Sequence, residues 1–136
     1  MELGNQEEKG MPQAVLVGNT FPPALIRRRA VFEPAPLGES RRALGKARVV
    51  SFWGHASTVR AASALAEVDL TPTHERPALS LSPENLPSLA GEIFQECWVL
   101  SPNYVPGYRP AIGEEVPAEK ITGWQVLRIS FPANTP

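Results

Sequence analysis

The sequence predicts an α/β fold: a compact single domain with a mixed β-sheet flanked by short helices. Three observations predict it. The stretch Arg48–Leu65, RVVSFWGHASTVRAASAL, reads as strand, tight turn and helix, the unit from which α/β sheets are built. Short apolar runs of strand length alternate with short helical patterns through the first half of the chain. In the second half the strand-like runs follow one another too closely for parallel crossovers throughout, so parallel and antiparallel pairs must share the sheet. With 136 residues, the chain suits one domain around a single core.

Residues 1–13, MELGNQEEKGMPQ, are polar and patternless and are expected to be a disordered lead, with Met11 as an alternative natural start. The domain then spans residues 14–132. It opens with a short apolar strand, Ala14–Val17, ending in Gly18-Asn19-Thr20-Phe21, and Pro22-Pro23 begins a short helical turn carrying Leu25 and Ile26. Val31–Pro36 is extended but interrupted by proline, as befits an edge strand or a covering segment. Glu39–Leu44 reads as a short helix stopped by Gly45.

In the strand–turn–helix unit, Val49, Val50, Ser51, Phe52 and Trp53 form the strand and Gly54 permits the sharp turn. Ser57 and Thr58 are N-cap candidates for a helix over Val59–Ala66, which presents Val59, Ala62 and Ala66 on one face with Leu65 beside them. Asp69–Pro77 is a loop holding His74 and Arg76, and Ala78–Leu81 a short strand. Glu92–Leu100, EIFQECWVL, alternates and then runs apolar, as expected of a strand entering the middle of the sheet. Ser101–Pro117 is the longest irregular piece. Pro117–Ile121 makes one helical turn ended by Gly123, Trp124–Phe131 alternates as a last strand, and 133–136 form a tail. Strands this short favour pairing with a second copy, so a dimer is expected.

Composition narrows the function classes. A net charge of −1 leaves no long basic surface for duplex DNA, so any anion site must be local. The single cysteine, Cys97, excludes an internal disulfide, and its apolar surroundings point to a buried, inert thiol. With that cysteine and two histidines, His55 and His74, no spacing suggests a metal site, and no cofactor is indicated. No stretch reaches transmembrane length and no signal peptide is legible, so a cytoplasmic protein without membrane contact is expected.

Two places have the residue types for binding chemistry. His55 lies between a strand end and a helix start, where backbone N–H groups and the helix dipole favour an anion such as phosphate and an imidazole can exchange a proton with it. The bland reading is a Gly-His turn with a surface histidine. Asn19 and Thr20 end the first strand with an amide and a hydroxyl, either facing a ligand or forming a simple turn. Arg27, Arg28 and Arg29 are the densest positive charge, a solvated face or an attractor for a polyanion. The 101–117 loop gathers Asn103, Tyr104, Tyr108, Arg109, Glu114 and Glu115, a mixture more often functional than decorative.

The blocks AVLVGNTFPPALI, VSFWGHASTVRAASAL and ERPALSL, followed by an apolar strand, resemble the viral ring nucleases, type III anti-CRISPR proteins that degrade cyclic tetra-adenylate. The resemblance runs from about Val15 to Phe131 and is clearest in the GHAST block and the NTF loop. It implies a compact α/β homodimer in the cytoplasm of a prokaryotic cell or an infected host, binding the cyclic tetranucleotide across its two-fold axis and cutting it without metal. The family's active-site histidine falls on His55. Gly54, Ser57 and Thr58 would contact the ligand at the helix start, the strand-end asparagine falls on Asn19, and the basic residue after the central helix on Arg76. The family's late arginine and glutamate have candidates in Arg109 and in Glu114 or Glu115, within a loop longer and richer in proline than the family's. The implied products are linear adenylates with 2′,3′-cyclic phosphate ends. Two other classes are a non-catalytic sponge for the cyclic nucleotide and an inhibitor of a host protein acting through the arginine run and Tyr104 and Tyr108.

Overall fold

The centre of the molecule is strand β1, Ala14–Gly18, which is shielded on both sides and both edges. A computed structural model describes residues 14–53, 58–71, 79–109 and 116–132. The expected lead, the tail, Gly54, His55, Ser57, His74, Arg76, Glu114 and Glu115 lie outside the described residues.

Five strands form the main sheet, in the order β2 (Val31–Pro34), β8 (Ile121–Ser130), β7 (Glu96–Tyr104), β1, β3 (Arg48–Ser51). β1 runs parallel to both β3 and β7, whereas β7 with β8 and β8 with β2 are antiparallel. The sheet is therefore mixed and the domain α/β. On one face lie helix α1, Leu37–Lys46, and helix α2, Val59–Ala66. On the other lies a small antiparallel sheet of β4 (Leu79–Leu81), β5 (Pro87–Leu89) and β6 (Glu92–Ile93).

Strand alternation sorts β1 between two cores. Val15 and Val17 face the helices with Leu44, Trp53, Ala62, Leu70 and Trp98. Leu16 faces the small sheet with Phe21, Phe52, Leu89, Phe94 and Cys97. Burial on both faces is why β1 reads as an unbroken apolar run. Each large side chain so buried contributes about 1.5–3 kcal/mol. The buried Cys97 thiol is pushed far up from its usual range, first by loss of water and then by the charge of Glu96.

Ion pairs and hydrogen bonds tie the layers together. Arg41 Nε donates to the Leu65 carbonyl at 2.8 Å, joining α1 to α2. Arg48 of β3 pairs with Glu92 of β6. Arg28 donates to the Glu84 carbonyl at 3.1 Å and to the Pro132 carbonyl, so the middle of the arginine run is a structural strut between the small sheet's turn and the end of β8.

Several expectations change. α1 begins two residues before Glu39 and runs through Gly45 to Lys46; burying Leu44 and Ser40 outweighs the roughly 1 kcal/mol that glycine costs a helix interior. Glu92–Leu100 is two strands in different sheets, separated by Phe94 and Gln95. β5, with Pro87 at its start, had no alternating signal. Ser101–Tyr104, expected as loop, continues β7 against β8. Ala118–Lys120 is one 3₁₀ turn, and Gly123 does not end it but sits inside β8 opposite Asn103. β3 stops at Ser51, after which Phe52 and Trp53 turn to opposite faces. The strand at Ala14, the edge strand with its proline and the helix Val59–Ala66 stand as expected. Among the described residues no helix is long and apolar enough to cross a membrane.

Candidate functional site

β1 and β3 end together. Their last register pair is Val17 with Ser51, and the Phe52 N–H then donates to the Val17 carbonyl at 2.9 Å. Ligands of open α/β sheets sit beyond the carboxyl ends of parallel strands. Here that edge carries Gly18-Asn19-Thr20 from β1 and, from β3, Phe52-Trp53, with Gly54-His55 next in sequence.

A cleft of about 370 Å³ opens at this edge. Among the described residues its walls are Pro22, Ala24, Leu25, Phe52 and Leu79, with Asn19 and Thr20 supplying the polar atoms. Gly18 is dictated by close approach. A Cβ there would stand 2.4 Å from Cζ of Phe52, so only glycine lets the aromatic ring close the base of the cleft. Asn19 is half-buried, and its carbonyl accepts a hydrogen bond from Ser101 Oγ at 3.2 Å. That bond ties the end of β1 to β7. Thr20 is exposed.

Thr58 is buried, and its hydroxyl accepts from Trp53 Nε1 at 3.0 Å. It occupies the N-cap position of α2 but makes no side-chain cap bond. The indole takes the oxygen that an N-cap would use, and the first helical bond is the Ala62 N–H to the Thr58 carbonyl at 2.9 Å. The Trp53–Thr58 clamp joins the two described residues that flank Gly54, His55 and Ser57 in sequence, residues outside those described.

Arg109 is exposed on the turn beyond β7 and is not among the described residues lining the cleft. Next to it Tyr104 and Tyr108 pack edge to face with ring centres 5.6 Å apart, and Lys120 Nζ lies 5.6 Å from the centre of the Tyr108 ring. Partial burial, then Tyr108, raise the Tyr104 phenol, which stays a neutral hydrogen-bond donor.

The structure therefore brings Asn19 and Thr20 together on one cleft, turns the Thr58 hydroxyl inward, and carries Arg109 on a separate arm. Sequence reasoning missed Phe52, Leu25 and Leu79 as cleft walls. A strand-end aromatic after a Gly-ending strand was the available signal for Phe52; Leu79 comes from a distant strand and had none. The described walls are apolar with an amide and a hydroxyl at the rim, suited to a flat group with a polar edge. None of the described lining residues has an ionisable side chain. Among the described residues no group of three or more histidine, cysteine, aspartate or glutamate side chains is placed to hold a metal ion.

No family model matches the chain, and no curated protein matches it. Among solved structures it is similar to B116 of Sulfolobus turreted icosahedral virus, with a TM-score of 0.53 and 12% identity over 87% of this chain and 99% of that one. At that identity the likeness concerns the fold alone.

Proposed function

We propose that the chain is a metal-independent ring nuclease that opens cyclic oligoadenylate, cyclic tetra-adenylate above all, and so switches off type III CRISPR signalling. The observation that carries this is a juxtaposition. The NTF loop and the GHAST block, on which the sequence resemblance to viral ring nucleases rests, are more than thirty residues apart in sequence, yet the strands that precede them, β1 and β3, are parallel neighbours that end at one edge of the sheet. A viral protein of similar fold agrees with this reading without deciding it.

In this mechanism the cleft binds and His55 does the proton work. Asn19 and Thr20 hold the ring at the cleft rim, with Gly54, Ser57 and Arg76 contacting phosphate. Thr58 contributes by position, holding Trp53 and the start of α2 together. Fixing a 2′-oxygen in line with the phosphorus and its 5′-leaving oxygen is worth about 7 kcal/mol or more. The 2′-hydroxyl loses its proton to solvent as its oxygen attacks the phosphorus, the P–O5′ bond breaks, and His55 protonates the departing 5′-oxygen, a step worth ~10²–10⁴ in rate. Backbone N–H groups with Arg76 or Arg109 stabilise the charge on the phosphate, and Glu114 is the acidic partner. The product is linear with a 2′,3′-cyclic phosphate. The working form is a cytoplasmic homodimer.

The test is incubation with cyclic tetra-adenylate in EDTA, with products separated chromatographically and the His55→Ala variant alongside. Cleavage by the parent and binding without cleavage by the variant are expected. Binding without cleavage by the parent would make the protein a sponge. Neither binding nor cleavage would sink the proposal and leave the host-protein inhibitor, for which Arg27 and Arg29 are the exposed cations of the arginine run.

A further inference from the structure

A second recess lies on the helix face, at the amino end of β7 and so at the opposite edge from the Asn19 cleft. It is a groove of about 340 Å³ between α1 and the sheet. From α1 it is lined by Glu39, Arg42 and Lys46, which share a face at positions i, i+3 and i+7, and from the sheet by Glu96, Trp98 and Arg128.

Its charges do not cancel internally. Both oxygens of Glu96 are engaged: Oε2 accepts from Trp98 Nε1 at 2.6 Å, and Oε1 accepts from Arg128 Nη2 at 3.1 Å. Glu39 lies in the first turn of α1, where a carboxylate complements the helix dipole. Arg42 and Lys46 are one turn apart, repel each other, and make no hydrogen bond or ion pair among the described residues. Arg128 is held by Glu96 with its guanidinium carbon 6.0 Å from the centre of the Trp98 ring. Yet its Nε is buried without a hydrogen-bond partner. An unpaired donor on a charged group is costly to bury, and a fixed guanidinium loses little entropy when it gains a ligand.

We propose that this groove binds a phosphoryl group, held by Arg42, Lys46 and the Nη donors of Arg128. Three cationic side chains around one recess match the three oxygens of a phosphoryl group better than the two of a carboxylate. Trp98 and Glu96 fix the orientation of Arg128. This site is independent of the nuclease proposal, since it shares no residue with the Asn19 cleft.

The test follows the indole N–H resonance of Trp98, which sits beside Arg128, during titration of the full chain with inorganic phosphate at constant ionic strength. Acetate is the comparison anion. A saturable shift with phosphate, and at most a weaker one with acetate, is expected. Arg42→Ala with Lys46→Ala, both exposed side chains whose loss leaves the core intact, should weaken phosphate binding roughly tenfold or more. The His55→Ala variant should bind phosphate here as the parent does, which separates this groove from the nuclease site. A shift that never saturates, equal saturation by acetate, or binding unchanged in the doubly substituted protein would each overturn the proposal.

Discussion

Gly18→Ala tests the packing that forms the base of the cleft. An ideal Cβ at this position would lie 2.4, 2.6 and 2.7 Å from Cζ, Cε1 and Cε2 of Phe52, all inside the distance at which carbon atoms repel. Gly18 is not among the positive-φ glycines, which among the described residues are Gly91 and Gly107, so the penalty is steric and not conformational. The ring has little room to retreat. It is 7% exposed and meets Phe21 edge-on with centroids 6.3 Å apart. Overpacking of this kind costs about 1–3 kcal/mol, which in a domain of this size lowers Tm by roughly 4–12 °C. Phe52→Leu removes the far ring atoms and should itself destabilise by leaving a void, but it also removes what the new methyl strikes. The loss on Gly18→Ala should therefore be smaller in the Phe52→Leu background, with a coupling of about 0.5–3 kcal/mol. Thermal and urea unfolding of the four proteins, followed by circular dichroism, measure it. If Gly18→Ala is as stable as the parent, or loses the same amount in both backgrounds, the contact with Phe52 is not why glycine stands there.

Thr58→Val keeps the side-chain shape but leaves the Trp53 indole N–H buried without its acceptor, a loss of about 1–3 kcal/mol that Thr58→Ser should largely restore; equal stability of the Val and Ser variants in urea would refute the clamp. Asp69 has its carboxyl held below the usual carboxylate range by the Thr71 backbone N–H and then by the Thr71 side chain. A lowered folded-state value contributes stability above the unfolded value of about 4 and loses it as pH falls through the folded one. The Tm of Asp69→Ala should therefore lie below that of the parent at neutral pH and converge with it in acid, and a gap that widens below pH ~4 would reverse the assignment.

Much of the order along the chain was legible because it rests on local chemistry. The helix Val59–Ala66 follows from alanine content and apolar spacing, the edge position of β2 from Pro34, and the burial of β1 and Cys97 from unbroken apolar runs. The candidate site was legible only in pieces. Asn19 and Thr20 announced themselves as polar groups at a strand end, and they do share a cleft. Thr58 looked like a cap for the same local reason, yet its hydroxyl serves Trp53, because a buried indole N–H needs an acceptor and five residues of sequence give no hint that it will turn back.

What the sequence by itself determined is the alternation of strands and helices and the residue types at the strand ends, since period and turn chemistry act over a few neighbours. Only the tertiary structure decided which strand joins which sheet. Glu92–Leu100 reads as one strand but is divided between two sheets, and Ser101–Tyr104 looks like loop but supplies four of the nine register pairs between β7 and β8. Gly45 stays helical because Leu44 is anchored in the core. Each of these turns on burial against residues far away in the chain, and a local pattern carries no information about what will cover it.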